Sequence, residues 1–346
     1  MSQARALFGE WNGRCQPPWN EREIAHKLAS AERAPDDKTP GYLIWRQGGN
    51  IGQPRKQEEY SIAAVEREPG SDGRALEFDR EALLRLQRPD LRVDWRYLAE
   101  RSLVDPVGLP VEAFLDGLYE PGEKILAFTR FTSQGEFCYV PGQGWWRLGT
   151  KPAKKNEWMQ EGKRPMGRSW REGVWFLAQP VTGGWRPEAC RGERKWTRRS
   201  GVNVTAWRYM VVESDEKGIE PLWLNFLVQL PLPIVALYTS GGKSVHALLR
   251  VDAVNKRAWD QLRDVVRPFL TKCGADRRVF SAVRLTRLPG FLREGTADKV
   301  GNYVRYQSPR EQRLLYFNPR NHEAGAGVQP ICQQHRRTVL EPQLAE

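Results

Sequence analysis

The segment from residue 205 to residue 290 alternates between strand-like and helix-like patterns, and this alternation constrains the possible folds most tightly. AWRYMVVESD is an apolar strand pattern ending in acids, and IVALYTSGGKSVHALLRVDA contains two strand-like runs joined at a glycine pair. KRAWDQLRDVVRPFLTKCG has the spacing of an amphipathic helix closed by Gly274. RVFSAVRLTRLPGF is a further strand-like segment that ends in a proline turn. This order predicts an α+β fold in which helices cover one side of a sheet.

Two helices and one strand are predicted between residue 78 and residue 131. Phe78 to Leu86 has helical spacing, with Asp79 placed as its N-cap. PVEAFLDGLYEPGEK repeats the helical pattern with Phe114, Leu115 and Leu118. KILAFTRF alternates as a strand does.

The charge balance favours polyanionic partners. The chain has 54 Lys and Arg residues against 42 Asp and Glu residues, which gives a formal net charge of +12. A net positive charge of this size attracts polyanions such as nucleic acid or nucleoside triphosphates. Between Pro141 and Arg199, tryptophans are interleaved with Lys and Arg. These residues either line a basic, base-stacking groove or divide into core aromatics and solvated basic loops.

The cysteines and the apolar runs indicate a cytoplasmic protein. The five cysteines are far apart and form no CxxC pair, which is typical of reduced thiols. Cys332 and His335 form a CxxH, but no second tight pair accompanies them, so we favour no zinc site there. No run approaches the roughly 20 apolar residues of a membrane span. Met1 to Trp11 has no apolar signal-peptide core.

Glu213 and Asp215 stand at the end of the first strand pattern. Side chains two residues apart on a strand project from the same face, so both carboxylates can hold divalent cations together. Phosphoryl transfer uses such carboxylates to bind ions that neutralise a triphosphate. The competing interpretation is a solvated strand end, which is common.

The string SGGKSVH gathers polar groups before the next strand. Lys243, Ser244 and His246 adjoin the amides of Gly241 and Gly242, and together they suit a triphosphate. Alternation places Ser244 and His246 on one strand face. A P-loop is excluded, because Leu237 stands where its first glycine belongs and the following residues have a strand pattern instead of a helical one.

A third group follows the amphipathic helix. Asp276 offers another carboxylate, and Arg284 and Arg287 offer planar guanidinium groups that bind two phosphate oxygens at once. Singly, each of these residues is an ordinary surface charge.

Together, the three ordered groups resemble the motifs of the archaeo-eukaryotic primase superfamily. The relevant stretches are NVTAWRYMVVESD, LPLPIVALYTSGGKSVHALLRVDA and RLTRLPGFLR, and they look most like primase-like proteins of phages, plasmids and mobile elements. The likeness covers residues 173–293. It implies a primase-type catalytic core with an RRM-like antiparallel sheet packed by helices. One departure is Glu213, since the wider superfamily usually has Asp-x-Asp in the first motif.

The resemblance also implies roles for particular residues. Glu213, Asp215 and Asp276 would hold two Mg²⁺ or Mn²⁺ ions as the catalytic metal site. His246 would contact the phosphates of the incoming nucleotide. The remaining nucleotide-binding residues would be Lys243, Ser244, Arg284 and Arg287.

The expected domain organisation follows from these assignments. Residues 76–320 would form the catalytic region, with the motifs at 205–293, followed by a polar tail at 321–346. Residues 1–50 would form a mainly helical accessory segment, because PPWNEREIAHKLASA resembles a primase C-terminal module. Residues 51–75, rich in Gly, Pro and charge, would form a linker.

The resemblance predicts a DNA primase or primase-polymerase that replicates a mobile element or phage. Its partners would be a single-stranded DNA template, nucleoside triphosphates and a separate helicase. One alternative is a non-catalytic replication initiator or nucleic-acid-binding protein that keeps the primase fold. Another is a metal-dependent nuclease that uses the same carboxylates.

Overall fold

The structure of the protein, a computed structural model, describes residues 78–133, 135–149, 160–163, 166–190, 193–297, 302–321 and 328–334. All of these residues belong to one unit of the chain, residues 61–346. The helical segment expected within residues 1–50 and the linker expected at 51–75 lie outside the described residues. Within that described part, no helix has both the length and the apolar character needed to cross a membrane.

The described residues form an α+β fold with mainly antiparallel sheets. Helices α1 to α5 are Arg80–Arg85, Trp95–Glu100, Val111–Leu118, Glu220–Leu227 and Lys256–Lys272. Strands β1 to β15 are Ile125–Phe128, Phe137–Val140, Gly144–Leu148, Gln160–Lys163, Ser169–Trp170, Trp175–Leu177, Arg186–Cys190, Glu193–Thr197, Trp207–Ser214, Ile234–Thr239, Val245–Ala253, Leu285–Arg287, Leu292–Ala297, Tyr303–Glu311 and Leu314–Phe317.

The strands are arranged in four sheets. A six-stranded sheet has the order β12-β6-β1-β2-β3-β4, and a four-stranded sheet has the order β15-β10-β11-β9. Strands β14, β13 and β5 form a three-stranded sheet in that order, and β7 pairs with β8. In the four-stranded sheet all three pairings are antiparallel.

The four-stranded sheet is buried on both faces. On one face Val212 of β9 packs in a core with Trp259 of α5, and residues of α1, α2 and α4 share that core. On the other face Val211 packs with Phe176 of β6 in the six-stranded sheet. Helices α1, α2, α4 and α5 therefore cover one face of this sheet, whereas its opposite face packs against the six-stranded sheet and helix α3. The expectation of helices on one side alone is wrong, because Phe114 of α3 packs against Phe317 of β15 on that second face.

One strand pattern joins a different sheet from its sequence neighbours. Strand β12 pairs with β6 at the edge of the six-stranded sheet. The fourth strand of the other sheet is β15, which pairs with β10. A strand pattern specifies an extended backbone but no partner, so the sequence order alone suggested a single sheet.

The upstream helices form as expected. Asp79 caps α1, because its Oδ1 accepts a hydrogen bond from Ala82 N at 2.9 Å. Phe114, Leu115 and Leu118 of α3 are buried, as their helical spacing predicts.

Part of the segment expected as a polar tail packs on the fold. Ile331 is buried, and the backbone N–H of Cys332 donates to the carbonyl of Val228 at 2.9 Å. Gln334 accepts from the hydroxyl of Tyr316 at 2.8 Å. These contacts attach residues 328–334 to the face of the four-stranded sheet that α1, α2, α4 and α5 cover.

Candidate active site

The three predicted metal-site carboxylates converge at the end of β9. One carboxylate oxygen from each of Glu213, Asp215 and Asp276 lies within 4.8 Å of the others. Glu213 is buried in β9, Asp215 follows the strand and is exposed, and Asp276 is half-buried. The convergence expected from the motif order is confirmed, although more than sixty positions separate the third acid from the first two.

Backbone geometry brings Asp276 to this position. Helix α5 ends at Lys272, and Gly274 then adopts a φ of +110°, a conformation that L side chains rarely adopt. The N–H of Asp276 donates to the carbonyl of Glu213 at 2.9 Å. The side chain of Asp276 caps a short 3-10 turn by accepting from Arg278 N at 2.9 Å. The helix end, the glycine and the cap together fix this acid beside β9.

Two side chains, one on each carboxylate oxygen, contact Glu213. His246 Nδ1 lies 2.6 Å from Oε2, and Arg284 Nη2 donates to Oε1 at 3.0 Å. Burial raises the pKa of Glu213, but His246 and Arg284 outweigh burial and hold that pKa at about 2. Glu213 is therefore a buried carboxylate anion at neutral pH.

The three carboxylates fit a divalent cation. Carboxylate oxygens are the hard ligands that Mg²⁺, Mn²⁺ and Ca²⁺ prefer. Three such groups within 4.8 Å repel one another, and a bound cation would offset that repulsion. Asp215 and Asp276 have the accessible oxygens, whereas Glu213 would share its oxygens with His246 and Arg284.

A buried polar chain holds His246. The register partner of His246 on the neighbouring strand β10 is Tyr238, and the two rings stack with their centroids 5.5 Å apart. Thr286 Oγ1 lies 3.2 Å from His246 Nδ1 and 2.8 Å from the Tyr238 hydroxyl. His246 Nε2 is buried and has no hydrogen-bond partner among the described residues. A buried nitrogen without a partner is uncommon, and a water or a ligand oxygen in contact with it would satisfy its hydrogen-bonding capacity.

The glycine turn, residues 240–244, makes its polar contacts within the protein, whereas the sequence suggested that its side chains bind a triphosphate. Lys243 Nζ donates to the backbone carbonyl of Asp215 at 2.7 Å, so its ammonium group is held against the backbone of that residue. Ser244 is buried, and its hydroxyl donates to Ser240 Oγ at 3.2 Å within the turn. Gly241 has a φ of +65°, which a reversal of the chain here requires. The residues after this turn form β11, which confirms the exclusion of a P-loop.

Neither predicted phosphate-binding arginine is unpaired. Arg284 contacts Glu213, as described above. The guanidinium of Arg287 lies 3.7 Å from the ring centre of Trp175 and donates to the carbonyl of Glu172 at 2.6 Å. Burial, followed by the charge of Arg293, lowers the pKa of Arg287 to about 9. Arg284 therefore contacts the site directly, whereas Arg287 makes its contacts with Glu172 and Trp175.

Several tryptophans between residues 141 and 199 belong to the core. Trp145, Trp175 and Trp185 are buried. The indole of Trp145 donates to Glu112 Oε1 at 2.8 Å. For these three residues the structure favours core packing over a base-stacking groove.

The sequence did not single out Thr286 and Tyr238. Tyr238 and His246 each lie four residues from Gly242 at the centre of the hairpin, so the hairpin pattern was enough to predict that they are paired. Thr286 lies on β12 in the six-stranded sheet, and no local sequence pattern indicates that it contacts His246.

Two cavities lie in the described fold, and neither is at the acids. One, of about 450 Å³, is lined by Gly241, Gly242 and Thr239 together with Trp95. A larger one, of about 610 Å³, is lined mainly by apolar residues of the α2–α3 region. Neither of these two cavities is lined by any of the three acids or by His246. The candidate active site is assigned by its chemistry, and exposed Asp215 places it at an open surface.

Comparisons of the chain with protein-family models, with curated proteins and with solved structures give no match. The likeness to primases therefore depends on the three motifs, and the proposed function depends on the geometry of the site.

Proposed function

We propose that this chain is a metal-dependent nucleotidyltransferase of the archaeo-eukaryotic primase type, which makes primers or short DNA on a single-stranded template. The observation that carries the proposal is the cluster of Glu213, Asp215 and Asp276 beside buried His246. In this proposal the four-stranded sheet and its helices form the RRM-like part of the catalytic core. Bound Mg²⁺ or Mn²⁺ would supply positive charge to stabilise the triphosphate during the reaction.

The reaction joins a nucleotide to a growing chain. The oxygen of a 3′-hydroxyl forms a bond to the α-phosphorus, the bond to pyrophosphate breaks, and the hydroxyl proton leaves to solvent. Asp215 and Asp276 would hold the cations with their accessible oxygens. His246 Nε2 is the atom we assign to a phosphate oxygen of the incoming nucleotide, because it has no partner within the described fold.

The other predicted nucleotide-binding residues act close by. Lys243 places an ammonium group beside Asp215, within the region that the triphosphate would occupy. Ser244 shapes the turn that precedes β11. Arg284 keeps Glu213 ionised and oriented, and Arg287 links β12 to the turn before β6 through the carbonyl of Glu172.

A template-directed incorporation assay tests this function. Single-stranded DNA is incubated with labelled ribo- or deoxyribonucleotides and with Mg²⁺ or Mn²⁺ in turn. We expect Asp215→Asn to reduce incorporation by about 100-fold or more, since loss of a ligand exceeds the effect of losing its outer partners. Glu216→Gln is the matched control, because Glu216 is the exposed neighbour of Asp215 and is not part of the cluster. Equal incorporation by the two variants would refute the assignment.

One observation favours a second candidate, a nucleic-acid-binding initiator with a weak metal site. His246 and Arg284 already contact both oxygens of Glu213, which leaves this acid less available to a cation. Such a protein would shift the mobility of DNA without consuming nucleotides. Metal-dependent incorporation by the wild-type chain distinguishes the two candidates.

The proposed partners follow from the chemistry of the site and from the resemblance to primases. They are nucleoside triphosphates, a single-stranded DNA template and a separate helicase that exposes it, in the cytoplasm of a host that carries a phage or mobile element. The net charge of +12 supports the polyanionic partners.

A further inference from the structure

The hairpin formed by β13 and β14 presents an exposed, basic strand at a sheet edge. Strand β14, Tyr303–Glu311, is the outer strand of its three-stranded sheet. Along its nine residues only Tyr303 and Tyr306 are half-buried, and the others are exposed. At about 3.3 Å per residue the strand is about 30 Å long, which is enough to follow several nucleotides.

Two arginines face each other on this hairpin. Arg293 of β13 is the register partner of Arg310 of β14. Their guanidinium carbons lie 5.7 Å and 4.1 Å from the ring centre of Tyr306. Like charges directly opposite each other on paired strands destabilise a sheet. The arrangement is therefore complementary to an anion that lies against both guanidinium groups.

No carboxylate of the described fold forms an ion pair with this cluster. Among the described residues, no carboxylate lies within 4.0 Å of a guanidinium nitrogen of Arg293, Arg305 or Arg310. The acids on the hairpin have other partners: Glu311 accepts from Arg313 at 3.3 Å, and Glu294 accepts from Ser169 at 2.8 Å. Arg293 donates to the carbonyl of Gly295 at 2.8 Å and to Thr296 Oγ1 at 2.6 Å, which orients its guanidinium group without neutralising its charge. Arginines without carboxylate partners beside an aromatic ring are the composition of surfaces that bind single-stranded nucleic acid.

The hairpin adjoins the glycine turn of the candidate active site. A Cβ added at Gly242 would lie 3.2 Å from Arg293 Nη1, and one added at Gly241 would lie 3.1 Å from the carbonyl of Arg310. The glycines thus permit the close approach of the hairpin. A nucleic-acid strand bound along β14 would extend towards the glycine turn that precedes His246.

We propose that the exposed face of the β13–β14 hairpin binds single-stranded nucleic acid. Arg293, Arg305 and Arg310 contact backbone phosphates, and Tyr306 with its flanking guanidinium groups provides a stacking platform for a base. The length of β14 favours an extended strand over a single compact triphosphate. This inference rests on the proposed function, since it names the surface that holds the template.

Binding is measured without nucleotides and with EDTA, so that a failure of catalysis does not affect the result. The anisotropy of a short fluorescent oligothymidylate is titrated with wild-type protein, with Arg305→Glu/Arg310→Glu and with the control Arg80→Glu/Arg257→Glu. The control arginines are exposed on helices α1 and α5, and each pair changes the net charge equally. We expect the hairpin pair to weaken binding by about tenfold or more and the slope of log K against log salt to fall by about 1.4. Equal binding by the two double variants would overturn the proposal.

A second comparison separates stacking from folding. Tyr306→Ala removes the ring, whereas Tyr306→Phe keeps it, so we expect binding weakened by about tenfold only in the alanine variant. Circular dichroism verifies that each variant is folded. The proposal is also overturned if the hairpin variants lose affinity for a nucleoside triphosphate while keeping wild-type affinity for the oligonucleotide. A chain that binds through the hairpin but incorporates no nucleotide refutes only the proposed function.

Discussion

The Nδ1 atom of His246 lies 2.6 Å from Oε2 of Glu213, and both side chains are buried. The two residues are register partners on β11 and β9, so the sheet itself holds them together. This pair joins the predicted first motif to the predicted second motif. Its strength determines how firmly the carboxylate cluster is held.

Breaking this pair should destabilise the fold strongly. We expect His246→Ala to lower the free energy of unfolding by about 2–3 kcal/mol, because buried Glu213 loses one of its two partners while Arg284 remains. The double variant His246→Ala/Glu213→Gln should lose less than the sum of the two single changes. Urea unfolding of the four proteins in a double-mutant cycle measures the coupling. Additive losses would show that the contact contributes no coupling.

The stability of the metal-free protein should depend on pH through Glu213. Its pKa of about 2 lies below its ordinary value of 4.5, despite a burial that raises it, because His246 and Arg284 favour the anion. A carboxyl group with a pKa lowered by folding stabilises the fold above the unfolded value, and this contribution is lost as the pH falls through the folded value. We expect stability to decline from pH 4.5 towards pH 2.

Urea unfolding in EDTA at a series of pH values measures that decline. Glu213→Gln should give a flatter dependence over the same interval, since it cannot titrate. An unchanged slope in this variant would assign the decline to other carboxyl groups.

The hydroxyl of Thr286 should contribute more to the stability of the fold than its methyl group does. Thr286→Val leaves the buried Tyr238 hydroxyl without this partner, so we expect a loss of about 1–3 kcal/mol in the free energy of unfolding. Thr286→Ser keeps the hydroxyl and should stay closer to wild type. Nucleotide incorporation by both variants tests whether the contact with His246 Nδ1 also positions the imidazole. A serine variant as unstable as the valine variant would contradict the role of the hydroxyl.

Gly274 should tolerate no side chain. Its φ is +110°, and an added Cβ would lie 3.1 Å from side-chain atoms of Ile219 and Phe78. Gly122 is a matched control, because it has a φ of +84° with no atom within 4 Å of an added Cβ. We expect thermal unfolding to show a clearly larger loss for Gly274→Ala than for Gly122→Ala, about 1 kcal/mol or more beyond the shared backbone strain. Equal losses would show that the helix end can shift without strain.

Local sequence patterns were enough for the elements that carry the acids. The apolar run before Glu213, the glycine-centred hairpin before His246 and the amphipathic helix before Asp276 each formed where their periodicity indicated. These features depend on side-chain spacing and turn chemistry within a few residues, which a single sequence displays directly.

The tertiary structure decided what those residues contact. Arg284 was expected at a phosphate and is found on Glu213, and Thr286 reaches His246 from a strand that pairs with β6. The sequence determined the strand ends, the helix and the order of the acids. Only the tertiary structure determined which sheet β12 joins and which charges pair, because the partners of a short strand or a buried charge come from segments distant in the chain.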